Sequence, residues 1–337
     1  MHLILLHAES DGTLSKLSLE SLAATIELGA PVTVGIIGEN PTSAAESIAT
    51  CGAEKILTIS GPEYAQAAYA TDAAAAEAIC RAAGAEIIIV PATSRWNRVL
   101  PGVAHCLGGK ADTHITGLTL IDGKPQASRW FYRQRMEAAF TRSTRPWLLA
   151  LEGGIASVEA ISTRQNQAPT PIESVPLTAP SSRTKVIGFE APASDQQTIR
   201  PDAELLFVTG AGWTKKQADG AVKTAEAETL ILDFLRLSRS SLGSTKSLVD
   251  LGGEGVAVLP FLSHMNQIGQ TGSTPRHSKG LSTCCHGEEP HTVGWRFIGE
   301  RRAISLDANC GWARGKADIL YIADAFAVMK KVNQLMQ

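Results

Sequence analysis

Aromatic residues make up only 5% of this 337-residue chain, too few for a row of base-stacking platforms. Charge of either sign is not in excess. The 31 basic side chains face 33 acidic ones, a formal net of −2, so the electrostatic footprint of a nucleic-acid binder is missing. No apolar run comes near the roughly 20 residues that span a bilayer, and no membrane insertion is expected. The opening "MHLILLHAESDG" has a short apolar run but no basic start and no small-residue cleavage site, so it does not read as a secretory leader. Six cysteines without paired spacing give no disulfide framework. A reducing cytoplasm is the expected compartment.

Glycine-rich phosphate loops are also wanting. The segment "ELLFVTGAG" ends in Gly210 and Gly212, but a dinucleotide fingerprint requires a third glycine at the position of Lys215. No Walker A pattern occurs. After the first apolar run, Ala8 is followed by Glu9, Ser10 and Asp11, which counts against a nucleotide-binding module of the adenine-nucleotide α-hydrolase type.

What is present is alternation. "LILLHA", "VTVGIIG", "KILTI" and "EIIIVPA" read as buried strands. Between them lie helical patterns over "SLESLAATIELG", with Ser18 as N-cap and Gly29 as stop, over "SAAESIATCG", and over an Ala-rich run from Tyr64 to Gly84. Such alternation implies βαβ units and a parallel sheet. From about Ile115 short β-prone runs predict antiparallel strands added to that sheet. The Pro- and Ser-rich "NQAPTPIESVPLTAPSSRTK" reads as extended linker, and a boundary is expected near Arg200, giving domains over residues 1–199 and 200–337. The last third resumes α/β alternation, with a helix over "KKQADGAVKTAEAE" and strands over "TLILDFLRLSR", "GVAVLPFL" and "RAISLD". The fold class is therefore α/β in two domains. The first is a parallel-sheet domain with added antiparallel strands, and the second is a doubly wound, flavodoxin- or Rossmann-like domain.

The stretch "IGQTGSTPRHSKGLSTCCHGEEPH", Ile268 to His291, is too polar for core. His277, Cys284, Cys285, His286 and His291 could supply metal donors, yet no C-x-x-C or H-x-x-x-H spacing joins them. Adjacent cysteines in an extended chain face opposite ways, and a bond between them would close a strained ring. A polar loop with incidental Cys and His, or the wall of a cofactor pocket, are the remaining readings. His7 and His105 read as structural. Arg95 and Arg98 read as facing solvent or another subunit. Cys51, Cys80 and Cys106 read as small hydrophobes on helices, and Trp213, Trp295 and Trp312 as packing residues.

Several of these segments resemble, in order, the alpha subunit of electron-transfer flavoproteins. "PATSRWNRVLPGVAHCLG" and "GKADTHITGL" are similar to that family's first-domain segments. Ser238-Arg239 is similar to its S-R pair after the second strand of the second domain. "IGQTGST" is similar to I-G-Q-T-G-K-T, and in "CCHGEEPH" Gly287 and His291 fall on the glycine and histidine of G-I-S-G-A-I-Q-H. The resemblance implies FAD held in the second domain against a beta-like subunit in a heterodimer, with electrons relayed from a primary dehydrogenase to a downstream acceptor. The chain would be an electron carrier and would not itself convert a metabolite.

A flavin that passes single electrons must tolerate negative charge over N1 and the C2 carbonyl, so donors and fixed cations near that edge are useful. The resemblance assigns His291 to that edge, Arg239 to the ring face and Thr271 to N5. Ser238, Gln270 and Gly272 flank these, and Asp318 resembles the acid near the adenosine ribose. His286 takes the place of the family's serine, beside Gly287, and Ser305 that of its asparagine. Gly212 stands where the family has an arginine, so the phosphate and adenosine contacts are less well kept than the ring contacts. The rival reading is a flavin-free interaction subunit with a degenerate site.

Overall fold

The computed structural model describes residues 1–132, 136–162, 168–188, 199–200, 203–250, 257–269, 276–283, 295, 298–310 and 317–337. The chain is an α/β protein that divides into two compact units, Met1–Phe189 and Glu190–Gln337. The division falls ahead of the Arg200 expected from composition. Ile199 packs with the core of the second unit, and the Arg200 guanidinium donates to the Arg239 and Ser240 carbonyls.

In chain order the first unit contains β1 (His2–His7), α1 (Lys16–Glu27), β2 (Val32–Gly38), α2 (Thr42–Ser47), β3 (Lys55–Ser60), α3 (Tyr69–Ala83), β4 (Ile87–Pro91), α4 (Ser94–Cys106), β5 (Lys110–Ile115), β6 (Gly117–Ile121), β7 (Lys124–Phe131), β8 (Met136–Phe140), β9 (Trp147–Leu151), α5 (Glu159–Ser162) and β10 (Ile172–Ser174). Seven strands form one sheet in the order β10-β3-β2-β1-β4-β9-β5, and every pairing is parallel. Strands buried on both faces need continuous apolar runs. In β1, Leu3 and Leu5 enter one core with α3 and α4, while Ile4 and Leu6 enter the other with α1 and α2. Each such side chain contributes about 1.5–3 kcal/mol by leaving water. Gly35 of β2 allows the close approach of α3, since a Cβ there would lie 2.6 Å from Ile79 Cγ2.

Local signals moved the expected boundaries. Ser15, not Ser18, caps α1, accepting from the Ser18 N–H at 3.2 Å; such a cap is worth about 1 kcal/mol. Gly29, at φ +73°, closes that helix. Pro62 starts a separate 3₁₀ turn over Pro62–Tyr64, and α3 begins only at Tyr69.

The antiparallel strands do not extend the parallel sheet. β6, β7 and β8 form their own three-stranded sheet. It is β9 that joins the main sheet, because its five apolar residues are buried on both faces. Part of the Pro-rich stretch is likewise structured. β10 pairs in parallel with β3 at the sheet edge, a position that tolerates neighbouring prolines.

The second unit contains β11 (Leu205–Thr209), α6 (Thr224–Ser238), β12 (Ser241–Ser244), α7 (Lys246–Asp250), β13 (Lys279–Thr283), β14 (Glu300–Ser305), β15 (Ile319–Ile322) and α8 (Ala325–Leu335). The sheet is parallel, in the order β12-β11-β13-β14-β15. The segment "TLILDFLRLSR", expected as a strand, is most of α6. Ala227, Leu230, Ile231, Phe234 and Leu235 are buried at helical spacing. The helix expected over "KKQADGAVKTAEAE" begins only at Thr224, because a turn closed by the Gln217–Ala221 backbone bond and Gly220 precedes it. Residues 257–262, expected in a strand, form turn and coil.

Candidate functional site

In a doubly wound sheet, ligands bind outside the C-terminal strand ends, where the strand order reverses. In the second unit that point lies between β11 and β13. Polar side chains knit this edge together. The Gly210 N–H donates to the Thr283 carbonyl at 2.9 Å. The Trp213 indole N–H donates to Thr283 Oγ1 at 2.7 Å, and that hydroxyl donates to the Val208 carbonyl at 3.2 Å. On the other side, Thr209 Oγ1 donates to the Gly243 carbonyl at 3.2 Å, and the Thr245 N–H donates to the Thr209 carbonyl at 2.9 Å.

Ser244 and Gln267 at this edge, and Ser282 one residue before the end of β13, are fully buried with side-chain atoms that have no partner among the described residues. Ser244 ends β12 and forms a parallel bridge with Gln267, reinforced by the Ile268 N–H donating to the Ser244 carbonyl at 3.1 Å. Both residues are 0% exposed. Yet Ser244 Oγ and both amide atoms of Gln267 have no partner. Leaving such groups buried and unpaired costs about 1–3 kcal/mol each. Sequence reasoning missed them. The signal that could have found them was the helical period of α6, which makes "SLGS" the next strand.

The residues singled out from sequence fall in three places. Ser305 ends β14 at this edge, fully buried, and its Oγ accepts from the Asp307 N–H at 3.2 Å. Ser238, Arg239 and Asp318 stand at the opposite edge, a strand length of roughly 15 Å away. Ser238 Oγ donates to the Phe234 carbonyl at 2.6 Å and to Ser240 Oγ at 2.7 Å, which ends α6. Arg239, at φ +52°, is the left-handed residue closing that helix. It borders a cavity of about 600 Å³ with Arg200, Arg236 and Asp233. Asp318 precedes β15 and accepts from the Arg301 backbone N–H at 2.7 Å and its guanidinium at 3.0 Å, bonds that hold its carboxyl below the usual range. The structure therefore does not bring these three together with Ser305. Gln270, Thr271, Gly272, His286, Gly287 and His291 lie outside the described residues, as do Cys284 and Cys285.

The strand-end edge offers other groups at the positions the resemblance describes. After β12, the second strand of this unit, come Thr245 and Lys246. Thr245 is buried, its hydroxyl accepting from the Leu248 N–H at 3.4 Å. Lys246 is exposed, with Nζ 3.6 Å from Asp250. After β15 comes Asp324, which caps α8 by accepting from the Ala327 N–H at 2.9 Å. His277 is structural, its Nε2–H donating to the Arg200 carbonyl at 2.8 Å. Among the described residues no group of His, Cys, Asp and Glu is placed to hold a metal, and no helix is long and apolar enough to cross a membrane.

In the first unit, Arg95 turns inward. Its Nε and Nη2 bind both carboxylate oxygens of Asp72, at 2.9 and 2.6 Å, and Asp72 is 0% exposed. A buried carboxylate needs such a partner, which is why neither solvent nor another subunit claims this arginine. His7 stacks on Trp96 at 4.1 Å. Burial, then the charges of Arg95 and Arg98, hold its pKa well below 6.5. Cys51 and Cys80 are buried, and burial pushes the Cys80 thiol up to about 12. Cys106 and His105 are exposed.

Two parallel-sheet units, the second with a polar strand-end edge, define a protein of the two-domain α/β class. A model of the electron transfer flavoprotein domain family matches residues 3–180, and the chain belongs to that family. It is also similar to the electron transfer flavoprotein subunit alpha of Clostridium acetobutylicum, 26% identical over 340 aligned positions that cover 97% of this chain and 92% of that protein. The family match falls on the first unit, where the sequence motifs were least specific.

Proposed function

We propose that the chain is the alpha-like subunit of an electron transfer flavoprotein. It holds FAD at the strand-end edge of its second unit, jointly with a beta-like subunit, and relays electrons from a primary dehydrogenase to a downstream acceptor. Bound FAD would supply the redox chemistry. The observation that carries the reading is the trio of buried, unpartnered polar atoms on Ser244 and Gln267, placed where a doubly wound sheet receives its ligand.

The chain's own residues have separable tasks. Ser244 and Gln267 supply one hydroxyl and one amide, able to donate and accept toward a polar group. Thr245 and Lys246 stand after the second strand, in place of Ser238 and Arg239. Lysine gives positive charge without the planar fork of arginine. Ser305 and Asp324 mark the far strand ends, with Asp324 replacing Asp318 as the acid on this edge. Gln270, Thr271, Gly272, His286, Gly287 and His291 keep the roles that the resemblance implies.

One feature favours a second reading, a flavin-free interaction subunit. Gly212 replaces an arginine of the resembled pattern, so this edge carries one fixed positive charge fewer, while Lys246 keeps the charge of the other arginine without its planar fork. Co-expression with the beta-like subunit and an absorption spectrum of the purified heterodimer separate the two. Flavin bands at one FAD per heterodimer support the electron carrier. A stable heterodimer that is colourless and takes up no added FAD supports the interaction subunit.

A further inference from the structure

The three-stranded sheet of the first unit carries chemistry that the flavin reading does not use. Between residues 124 and 145 the sequence sets Lys124, Arg129, Arg133, Arg135, Arg142 and Arg145 against Glu137 alone, a net of +5 in a chain whose total is −2. Ala127 of β7 is fully buried against the main core. Arg129 and Phe131 share its face by strand alternation and lie opposite Ala138 and Met136 of β8. There the face opens into a notch of about 350 Å³, walled by Arg129, Phe131, Phe140 and Arg142, with Asp112 and the small Ala138 completing it. Tyr132, 75% exposed, and Met136, 56% exposed, follow on the same hairpin.

The two arginines of the notch are in different states. Arg142 is occupied. Its Nε and Nη2 grip both oxygens of Asp112, and the Trp147 indole N–H adds a third bond to that carboxylate at 2.8 Å. Arg129 is only partly used. Its guanidinium lies 4.3 Å from the centre of the Phe131 ring, and Nη1 donates to the Thr113 carbonyl at 3.4 Å. Its Nε–H is buried and has no partner. Nε is one of the two donors by which Arg142 takes a carboxylate, and in Arg129 it is unspent. With Asp112 cancelling Arg142, the notch retains one positive charge.

We propose that this notch accepts a single carboxylate side chain from an acidic segment of a partner protein. One guanidinium with an unspent Nε–H and an uncancelled charge matches a monoanionic carboxylate. A nucleic acid would need free rings for its bases, but the rings here are already faced by the chain's own cations, Phe131 by Arg129, Phe140 by Arg142 and Trp147 by Arg145. The surrounding positive charge of the hairpin selects an acidic segment and speeds its approach, in a salt-dependent way.

The test titrates the purified full chain with hexaglutamate blocked at both ends, followed by calorimetry, with blocked hexaglutamine as control. The expected result is saturable binding of hexaglutamate and none of hexaglutamine. Arg129→Gln should weaken it roughly tenfold, the loss of one charge-assisted contact. Arg129→Lys should regain only part, because it restores charge without the fork. Phe131→Leu keeps the apolar wall but removes the ring that holds Arg129 flat. It should also weaken binding, and it decides the matter if Arg129→Gln fails to fold. The proposal is overturned if hexaglutamate does not bind, or binds the folded variants as tightly as the natural chain. It is equally overturned if inorganic phosphate or a single-stranded oligonucleotide occupies the notch in preference to hexaglutamate. No flavin enters the experiment, so its outcome is separate from that of the absorption spectrum.

Discussion

The two parallel sheets of this chain are built from different material. The central strands of the first unit read LILL, IIIV and WLLAL, and their residues are buried on both faces. In the second unit three of the five strands read SLGS, KGLST and ERRAIS, beside the apolar LLFVT and ILYI, and Ser241, Ser244, Ser282, Thr283 and Ser305 are all 0% exposed. Apolar strands need nothing more than helices to cover them. Buried hydroxyls need partners, and where the described residues supply none, at Ser244, Gln267 and Ser282, an outside group is a natural complement. The first sheet buries mainly apolar side chains along its central strands, whereas the second buries hydroxyls at its strand ends.

The largest way to break that comparison is inside the scaffold. Asp72 is the one fully buried carboxylate that the first unit ties to Arg95, whose side chain is only 17% exposed. Asp72→Ala leaves that guanidinium without its partner. A loss of about 3–5 kcal/mol is expected, the range for removing one member of a buried pair. Chemical denaturation of the variant, followed by Trp96 and Trp147 fluorescence, measures it. A loss below about 1 kcal/mol, the range of surface pairs, would mean that this scaffold tolerates broken polar pairs as the second unit does.

A pH experiment sharpens the comparison next. His7 faces Asp72, Arg95 and Arg98, with its Nε2 3.8 Å from an Asp72 oxygen that Arg95 already neutralises. Burial and the two arginine charges keep its imidazole neutral in the folded chain. The unfolded chain, with the ordinary pKa near 6.5, binds a proton more readily. Stability from this site is therefore complete above pH 6.5 and falls as pH drops below it, toward the depressed folded value. The unfolding midpoint at pH 5.5 should drop relative to pH 7.5 in the natural chain, and by less in His7→Leu. Equal drops in both would remove His7 from the account.

What the sequence made legible follows the same division. The strands of the first unit were readable because their apolar runs are short, dense and bounded by turns. In the second unit the densest apolar run, "TLILDFLRL", is a helix. The true strand after it, "SLGS", is half serine, and burial of those serines depends on tertiary partners that no window of sequence contains. Read as a strand, that apolar run makes Ser238 and Arg239 a pair after a strand, whereas Thr245 and Lys246 follow β12 in the structure. Asp318 precedes β15 and Asp324 follows it, a distinction that depends on strand bounds. Ser305 ends β14.

The smallest effect is also the sharpest discriminator within the second sheet. Ser244→Ala and Thr283→Val remove hydroxyls from the ends of the two strands that flank β11, both fully buried. Thr283 Oγ1 serves Trp213 and the Val208 carbonyl, so Thr283→Val strands the indole N–H and should cost about 1–3 kcal/mol in the free chain. Ser244 Oγ serves nothing in the chain. Its removal deletes an unsatisfied group with little volume change, and the free chain should change by no more than about 0.5 kcal/mol, in either direction. In the heterodimer the order should reverse for the cofactor. If Ser244 completes the flavin site, Ser244→Ala should lower the FAD retained after gel filtration, although the protein itself is as stable as before. The paired measurement is a urea titration of each free variant and the flavin absorbance of each purified heterodimer. A Ser244→Ala chain destabilised as much as Thr283→Val would show that its hydroxyl already has a partner within the chain, and the contrast between the two sheets would lose its main support.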